Sequence, residues 1–168
     1  MSQVVEDARS LTFELSNPLL YQIGLVAAVE WYVTERIRGQ FRIACKFTSE
    51  GVRLNPGEDI KVVLFQAVRE LLANVVKHAN ASAIDVRIAN TQDALKIVVE
   101  DDGVGFDPAR IGPYPKQHSG FGLFNIKERL EYLGGNLKIE PGRKKGVRIT
   151  MTVPVGIETV DKRKEALL

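Results

Sequence analysis

The sequence predicts an α+β fold, a two-layer α/β sandwich with helices on one face of a mixed, mostly antiparallel sheet. Two observations support it. A long apolar pattern of helical period occupies residues 60–79. Short runs that alternate apolar and polar residues, joined by polar turns, follow it at 84–88, 95–99 and 137–153. Such alternation gives a sheet one buried and one solvated face, and helices then cover the buried face.

Composition restricts the class of protein. The chain has 168 residues, of which 45% are hydrophobic and 26% charged, so it can bury the core of one domain. Its net charge of +2 gives no overall field for nucleic acid or membrane. The single cysteine, Cys45, excludes an internal disulfide and is expected to be a small core residue. Without a signal peptide or a long apolar run, a cytoplasmic location is expected, and a longer parent protein would still be free to enter a membrane.

The first third of the chain predicts two helices and a strand. Residues Val4–Leu15 have helical spacing and are interpreted as the end of a longer helix or as a helix that pairs between subunits, with 1–18 as a segment outside the main domain. A second helix is expected over Leu19–Ile37 and is expected to end at Gly39. The alternation over Phe41–Thr48 predicts the first strand.

The remaining elements follow in order. The long helix runs from about Ile60 to Ala79, and two strands joined by a polar turn come next. The stretch Asp107–Ser119 is rich in proline and glycine and is predicted to be a functional loop. A helix then opens at Gly120 and closes at Gly134-Gly135, before a final hairpin. The main domain is expected to span 19–156, with 157–168 as a charged tail.

Polar side chains form a stripe beside the apolar face of the long helix. Glu70, Asn74 and Lys77 are four and three residues apart, so they lie on one side of the helix. An acid, an amide and a cation there could orient a water, hold a hydrated Mg²⁺ and meet a phosphate. An ordinary solvated helix surface produces the same spacing, and that interpretation stays open on this motif alone.

Two glycine motifs lie farther along the chain. The strand that ends at Asp102 runs into Gly103 and Gly105, which permit close approach of a flat group, while the Asp102 carboxylate could accept a hydrogen bond from an exocyclic amine. An ordinary turn is the alternative. The motif Gly120-Phe121-Gly122-Leu123 opens a helix, and its free amides at the positive helix end suit phosphates.

These motifs, in this order, resemble the GHKL or Bergerat-fold ATP-binding domains, and among them the catalytic domain of sensor histidine kinases. The matching segments are Glu70–His78 as the N box, Asp102–Phe106 as the G1 box and Gly120–Leu123 as the G2 box. The segments around Asn17–Leu25 and Asn125–Leu130 are similar to the nitrate-sensor-type branch. The resemblance extends from Ser10 to Val155.

The resemblance implies ATP and Mg²⁺ as cofactors and a role for each matching residue. Asp102 would accept the adenine amino group, and Gly103 and Gly105 would shape the pocket beneath the ring. Asn74 would ligate Mg²⁺, and Glu70 would hold a metal-bound water or act as a weak base. The remaining implied contacts are with phosphate, from Lys77, His78, Gly120, Phe121, Gly122 and Leu123.

The chain departs from the family pattern at two points. Val147 stands where the resemblance implies a threonine hydroxyl near adenine. The two histidines, His78 and His118, do not lie in a phosphoacceptor motif. The expected partners are therefore the phosphoacceptor helices of a parent kinase, homodimeric at full length, and a downstream response regulator, with no nucleic acid and no direct membrane contact by this domain.

Two other functions remain open at the level of sequence. A stand-alone serine kinase of the anti-sigma-factor type shares the three boxes and lacks an acceptor helix. A non-catalytic nucleotide-binding module would keep the fold and bind partners. The intact Glu70, Asn74 and Lys77 argue against the second of these.

Overall fold

The computed structural model describes residues 18–105 and 121–155 of the chain. Several predictions fall outside these ranges: the helix Val4–Leu15, the loop Asp107–Ser119, Gly120 and the charged tail. They stay predictions, as do the proposed domain boundaries.

Three helical segments form one layer of the fold. Helix α1 spans Pro18–Trp31, with a kink at Gly24, whose φ of 80° and ψ of 171° are not helical. It continues as a π-helical stretch, Tyr32–Arg38, and a last turn, Gly39–Phe41. Helix α2 spans Glu58–Asn74 and continues as a π-helical turn, Val75–Ala79. Helix α3 spans Phe121–Tyr132.

Five strands form one mixed sheet in the order β1-β2-β3-β5-β4. Strands β1 and β2 are parallel, and every other neighbouring pair is antiparallel. The α2 helix is the crossover that a parallel pair requires. The strands are β1 Ala44–Glu50, β2 Ala83–Asn90, β3 Ala94–Asp101, β4 Asn136–Gly142 and β5 Lys145–Pro154.

The core lies between the helices and one face of the sheet. Alternate residues of β2, β3 and β5 are buried there, and they pack with buried residues of all three helices in a single cluster. The opposite sheet face carries the polar residues of the same strands, as the alternation predicts. The α+β, two-layer prediction is confirmed.

The boundary between α1 and β1 was predicted incorrectly. Gly39 has helical φ and ψ of −68° and −41°, so the helix passes through it instead of ending there. The turn comes at Arg42, whose φ of 55° is left-handed. Phe41 therefore belongs to the last helical turn and is 48% exposed, although its place in the alternation suggested a buried strand position.

Cys45 agrees with the prediction made for it. It is half-buried and packs against the core from β1. Burial raises the pKa of its thiol, and the Arg38 charge opposes that effect only in part. Across the described parts of the chain, none of the helices combines the length and apolarity needed to cross a bilayer.

Candidate functional site

Of the polar stripe predicted on the long helix, Glu70 and Asn74 lie on α2, and Lys77 lies in the turn after it. Glu70 is exposed and Asn74 half-buried, both within the regular helix. Lys77 and His78 are exposed and lie in the π-helical turn that follows. This turn ends the helix, so the α-helical spacing that puts Glu70 and Asn74 on one side does not extend to Lys77.

The loop after β3 packs against the end of this helix. The Val104 N–H donates to the Ala79 carbonyl oxygen at 2.8 Å. Gly103 lies so close to Ala79 that a Cβ at this position would overlap the Ala79 carbonyl group. The loop that follows β3 and the end of the long helix are therefore neighbours.

The Asp102 carboxylate makes contacts that the sequence did not suggest. Its Oδ1 accepts hydrogen bonds from the backbone N–H groups of Ser82 and Ala83, each at 2.8 Å. The Asp102 N–H donates to the Ala83 carbonyl oxygen at 3.2 Å. The side chain is half-buried and fastens the end of β3 to the start of β2.

Asp101 is the carboxylate that enters the helix-facing side. It follows Leu95, Ile97 and Val99 at two-residue intervals, so its side chain lies on the same sheet face as theirs. It is 6% exposed, and its Oδ1 accepts the Gly103 N–H at 2.8 Å. Burial raises the pKa of its carboxyl; the hydrogen bonds from Gly103 and Val147 partly oppose this effect.

The start of β5 closes the site beside Asp101. Gly146 is buried, and a Cβ there would overlap the Asp101 main chain and carboxylate. Gly105 has a φ of 73° and would place a Cβ 3.5 Å from the Gly146 carbonyl oxygen. The backbone N–H of Val147 donates a hydrogen bond to Asp101. A backbone donor does not depend on the side chain, so it is present although valine has no hydroxyl group.

Helix α3 packs against α2 near Glu70. A Cβ at Gly122 would overlap the Glu70 carboxylate, so the first turn of α3 lies directly against it. Leu123 follows in that turn, half-buried against the core. A cavity of about 380 Å³ runs between the two helices, and its wall includes Glu70, Gly122 and Asn125.

The donors suit magnesium better than a metal held by protein ligands alone. Within residues 18–105 and 121–155, no cluster of three or more His, Cys, Asp or Glu side chains could hold a metal ion. Mg²⁺ instead accepts one or two protein oxygens together with waters and substrate phosphates. The Asn74 amide oxygen and the neighbouring Glu70 carboxylate fit that coordination.

Comparison with protein families decides the classification. The family described as histidine kinase-, DNA gyrase B- and HSP90-like ATPase matches residues 59–157, more than half of the chain. The chain belongs to this ATPase family. The matched region begins in α2 and includes every motif of the site described above.

Two curated relatives of this ATPase domain are histidine kinases by name. An uncharacterized sensor-like histidine kinase of Chloroflexus aurantiacus is 36% identical over 154 residues, which are 89% of this chain and 25% of that protein. The sensor histidine kinase ComP of Bacillus subtilis is 33% identical over 161 residues, 91% of this chain and 19% of that protein. The chain thus spans a quarter or less of these relatives.

Solved structures share the fold of the ATPase domain. The histidine kinase domain of a blue-light activated kinase from Erythrobacter litoralis superposes with a TM-score of 0.62 at 20% identity, covering 78% of this chain and 61% of that one. The ATP-binding domain of PrrB from Mycobacterium tuberculosis gives 0.62 at 17% identity, covering 77% and 92%. At such identities the likeness concerns the fold.

Sequence reasoning missed two features of this ATPase site. Asp101 was not named beside Asp102, although strand alternation from Leu95 onward puts Asp101 on the helix-facing side. Gly146 was not singled out either. Its contact with Asp101 depends on the pairing of β3 with β5, which no local pattern specifies.

Proposed function

We propose that this chain is the ATP-binding catalytic domain of a sensor histidine kinase, which positions Mg-ATP for phosphoryl transfer to a histidine on a separate dimerisation domain. One observation carries the proposal: the loop of Gly103 packs on the end of α2 while Gly122 of α3 packs on Glu70. These two contacts support a single site in which a base pocket, a region for metal and phosphate and a helix N-terminus are neighbours.

The adenine end of the site centres on Asp101. Its side chain is on the helix-facing side, whereas Oδ1 of Asp102 already accepts two backbone N–H groups. We therefore assign the adenine amino group to Asp101 instead of Asp102. Gly103, Gly105 and Gly146 let the main chain pack closely around Asp101 and the end of α2, and in this way they would shape the adenine pocket.

The phosphate end lies along α2 and the first turn of α3. Asn74 and Glu70 would hold Mg²⁺ directly and through a bound water, and the ion when bound supplies charge neutralisation to the phosphates. Lys77, and His78 beside it, would contact phosphate oxygens, joined by the amides of the Gly120–Leu123 motif. No other described residue forms an ion pair with Lys77, which leaves its ammonium group for a ligand.

Phosphoryl transfer itself requires a partner. A ring nitrogen of the acceptor histidine attacks the γ-phosphorus, an N–P bond forms, the bond to the β,γ-bridging oxygen breaks, and ADP leaves. The domain supplies position and charge, which dominate this reaction. We propose that the acceptor lies on dimerisation helices of a longer homodimeric parent, that a response regulator receives the phosphoryl group, and that the domain works where ATP is available, in the cytoplasm.

Calorimetric titration tests the proposal. The purified chain should release or absorb heat on titration with ATP in the presence of Mg²⁺, and the affinity should fall when Mg²⁺ is removed with a chelator. Absence of a binding isotherm at high micromolar ATP would contradict it. Adding the acceptor helices of a parent kinase should then yield an acid-labile phosphohistidine; an acid-stable phosphoserine would indicate the other kinase class.

The adenine assignment has its own variant. Asp101→Asn should keep the contact with the Gly103 N–H through its amide oxygen but present an NH₂ group to the adenine amine, so ATP affinity should fall at least about tenfold. Purine riboside triphosphate, which lacks the 6-amino group, should bind this variant about as well as it binds wild type. Equal losses for both nucleotides would argue against a contact between Asp101 and the amine.

A further inference from the structure

We propose that Asp102 is a positioning residue that locks the adenine loop to the phosphate-binding end of α2, and so fixes the separation between the two halves of the nucleotide site. The proposal rests on the proposed function, since it concerns how that site is held. In this proposal the Asp102 carboxylate holds the site in place and does not itself contact the base.

The contacts of Asp102 form a closed link between two chain segments. Its Oδ1 accepts the N–H groups of Ser82 and Ala83, each at 2.8 Å, while its own N–H donates to the Ala83 carbonyl oxygen. Hydrogen bonds to an ionised acceptor are stronger than those between neutral groups. The turn that follows α2 is thus held to the end of β3 by three hydrogen bonds.

A second set of contacts extends the link to the helix. The Val104 N–H donates to the Ala79 carbonyl oxygen, and Gly103 packs against the same residue. Between Ala79 and Ser82 the chain reverses through Asn80, which has a left-handed φ of 47°. The whole turn is therefore connected at both of its ends to the loop that begins at Asp102.

The two ends of this link adjoin the two halves of the site. Lys77 is two residues before Ala79, in the π-helical turn. Asp101 is covalently adjacent to Asp102. If the turn could move relative to the loop, the distance between the proposed phosphate contact, Lys77, and the proposed adenine acceptor, Asp101, would vary. A nucleotide that contacts both residues would then bind less tightly.

The fold does not depend on this link alone. The Ser82 carbonyl oxygen accepts the Ala44 N–H at 3.0 Å, and β1 pairs with β2 from Ala44 and Ala83 onward. The turn therefore keeps its attachment to the sheet when the Asp102 side chain is removed. An Asp102 variant should therefore fold, and its main defect should be in the relative position of the two halves of the site.

Two substitutions and two nucleotides separate positioning from direct contact. Asp102→Ala removes the acceptor and should weaken ATP and purine riboside triphosphate by the same factor, about tenfold, equivalent to about 1.4 kcal/mol. Asp102→Asn retains an oxygen for the Ser82 and Ala83 N–H groups and should recover most of the affinity for both nucleotides. Affinity is measured by calorimetry on variants whose folding is checked by thermal unfolding.

Two results would contradict a positioning role for Asp102. If Asp102 touched the adenine amine, Asp102→Asn would place an NH₂ group against it and lose ATP selectively, with purine riboside triphosphate unaffected. Wild-type affinity of Asp102→Ala for both nucleotides would equally refute it. If Asp102→Ala does not fold, the comparison of the two nucleotides on Asp102→Asn still decides between the two roles.

A double-mutant cycle with Lys77 supplies a readout that a loss of stability alone would not change. If Asp102 acts by positioning the lysine, Asp102→Ala should cost clearly less ATP affinity in a Lys77→Ala background than in wild type. Additive losses would contradict the proposal. Failure of the wild-type chain to bind Mg-ATP would instead remove the proposed function, and that result is visible before any variant is made.

Discussion

Three glycines lie where the site has no space for a side chain. A Cβ at Gly103, Gly122 or Gly146 would overlap, respectively, the Ala79 carbonyl, the Glu70 carboxylate or Asp101. Each contact joins two different elements of the fold. At the scale of single residues, the site is therefore defined as much by missing side chains as by charged ones.

Gly103→Ala tests this close packing. The added methyl group meets backbone atoms of Ala79, which cannot rotate away, so unfolding free energy should fall by about 1–3 kcal/mol. Denaturant unfolding followed by circular dichroism measures the change.

Gly39→Ala is the matched control. Gly39 has helical backbone angles and nothing within 4 Å of its Cβ position, so alanine should stabilise the chain by about 0.5–1 kcal/mol. If Gly103→Ala stabilised the chain as Gly39→Ala should, the predicted overlap with Ala79 would be contradicted.

The residue types of the site could be predicted from sequence, but their assignment could not be completed. Glu70 and Asn74 keep the predicted helical spacing, whereas Lys77 lies in the π-helical turn that follows. The choice between Asp101 and Asp102 depends on which side of β3 each faces, and a short strand end leaves that parity easy to misjudge by one residue. Strand alternation traced from Leu95 supports the proposed assignment to Asp101.

At the scale of elements, the end of α2 is the most constrained part of the site. The helix passes into a π-helical turn and stops at Asn80, which takes a left-handed conformation. Asparagine tolerates this region better than most residues, and glycine tolerates it best. The turn that carries Lys77 and His78 therefore depends on the residue at 80.

Replacing Asn80 measures that dependence. Asn80→Ala should lower the unfolding free energy by about 1 kcal/mol, because alanine has no local hydrogen bond to offset a positive φ. Asn80→Gly, the control, should be at least as stable as wild type. Thermal or denaturant unfolding distinguishes them, and a stable Asn80→Ala would mean that the turn has a different conformation in solution.

Element boundaries were less predictable than the elements. The alternation that includes Phe41 begins three residues before the real strand, because Phe41 belongs to the last helical turn and the chain turns at Arg42. Gly39 looked like a helix stop, yet Arg42 provides the left-handed turn. Tertiary packing of α1 on the core overrides the weak local signal of one glycine.

At the scale of the whole molecule, the polar face of the sheet carries a buried carboxylate, Glu100, that is surrounded by arginines. Glu100 is 8% exposed and accepts hydrogen bonds from the Arg87 and Arg148 side chains and from the Arg143 N–H. Burial alone would raise the pKa of this carboxyl, but these donors and charges outweigh it and hold the pKa below the usual glutamate value. The network connects β2, β3 and β5.

Glu100→Gln should therefore destabilise the chain in a pH-dependent way. Near neutral pH the loss should be about 1–3 kcal/mol, since two arginines lose their buried partner. A depressed pKa contributes stability that is complete above the unfolded value, about 4.3, and disappears as pH falls through the lower folded value. The difference from wild type should thus shrink below about pH 4.3.

Glu131→Gln provides the control for this measurement. Its ion pair with Lys127 spans 3.7 Å between half-exposed side chains, so its loss should change stability by less than about 0.5 kcal/mol. Denaturant unfolding from pH 3.5 to 8 covers about the range needed. A pH-independent loss in Glu100→Gln would show that shape, and not charge, accounts for the effect.

The fold class followed from sequence because alternation and helical period are strong local signals, and the structure confirms it. The parallel pairing of β1 with β2 and the junction of β3 with β5 are long-range features. Both bring together segments that are separated by at least one helix. Local pattern does not encode such pairings, which is why Gly146 and Asp101 were not recognised as neighbours.

The strand order affects which parts of the sheet form early during folding. The β2–β3 and β4–β5 hairpins are local in sequence, whereas β3 meets β5 only after closure of the chain that carries α3 and β4. Closing a longer loop costs more entropy, so this junction should form late. Since Asp101 faces Gly146 across it, capture of a fluorescent nucleotide during refolding should appear only with the slowest phase, and would report the moment the domain becomes competent.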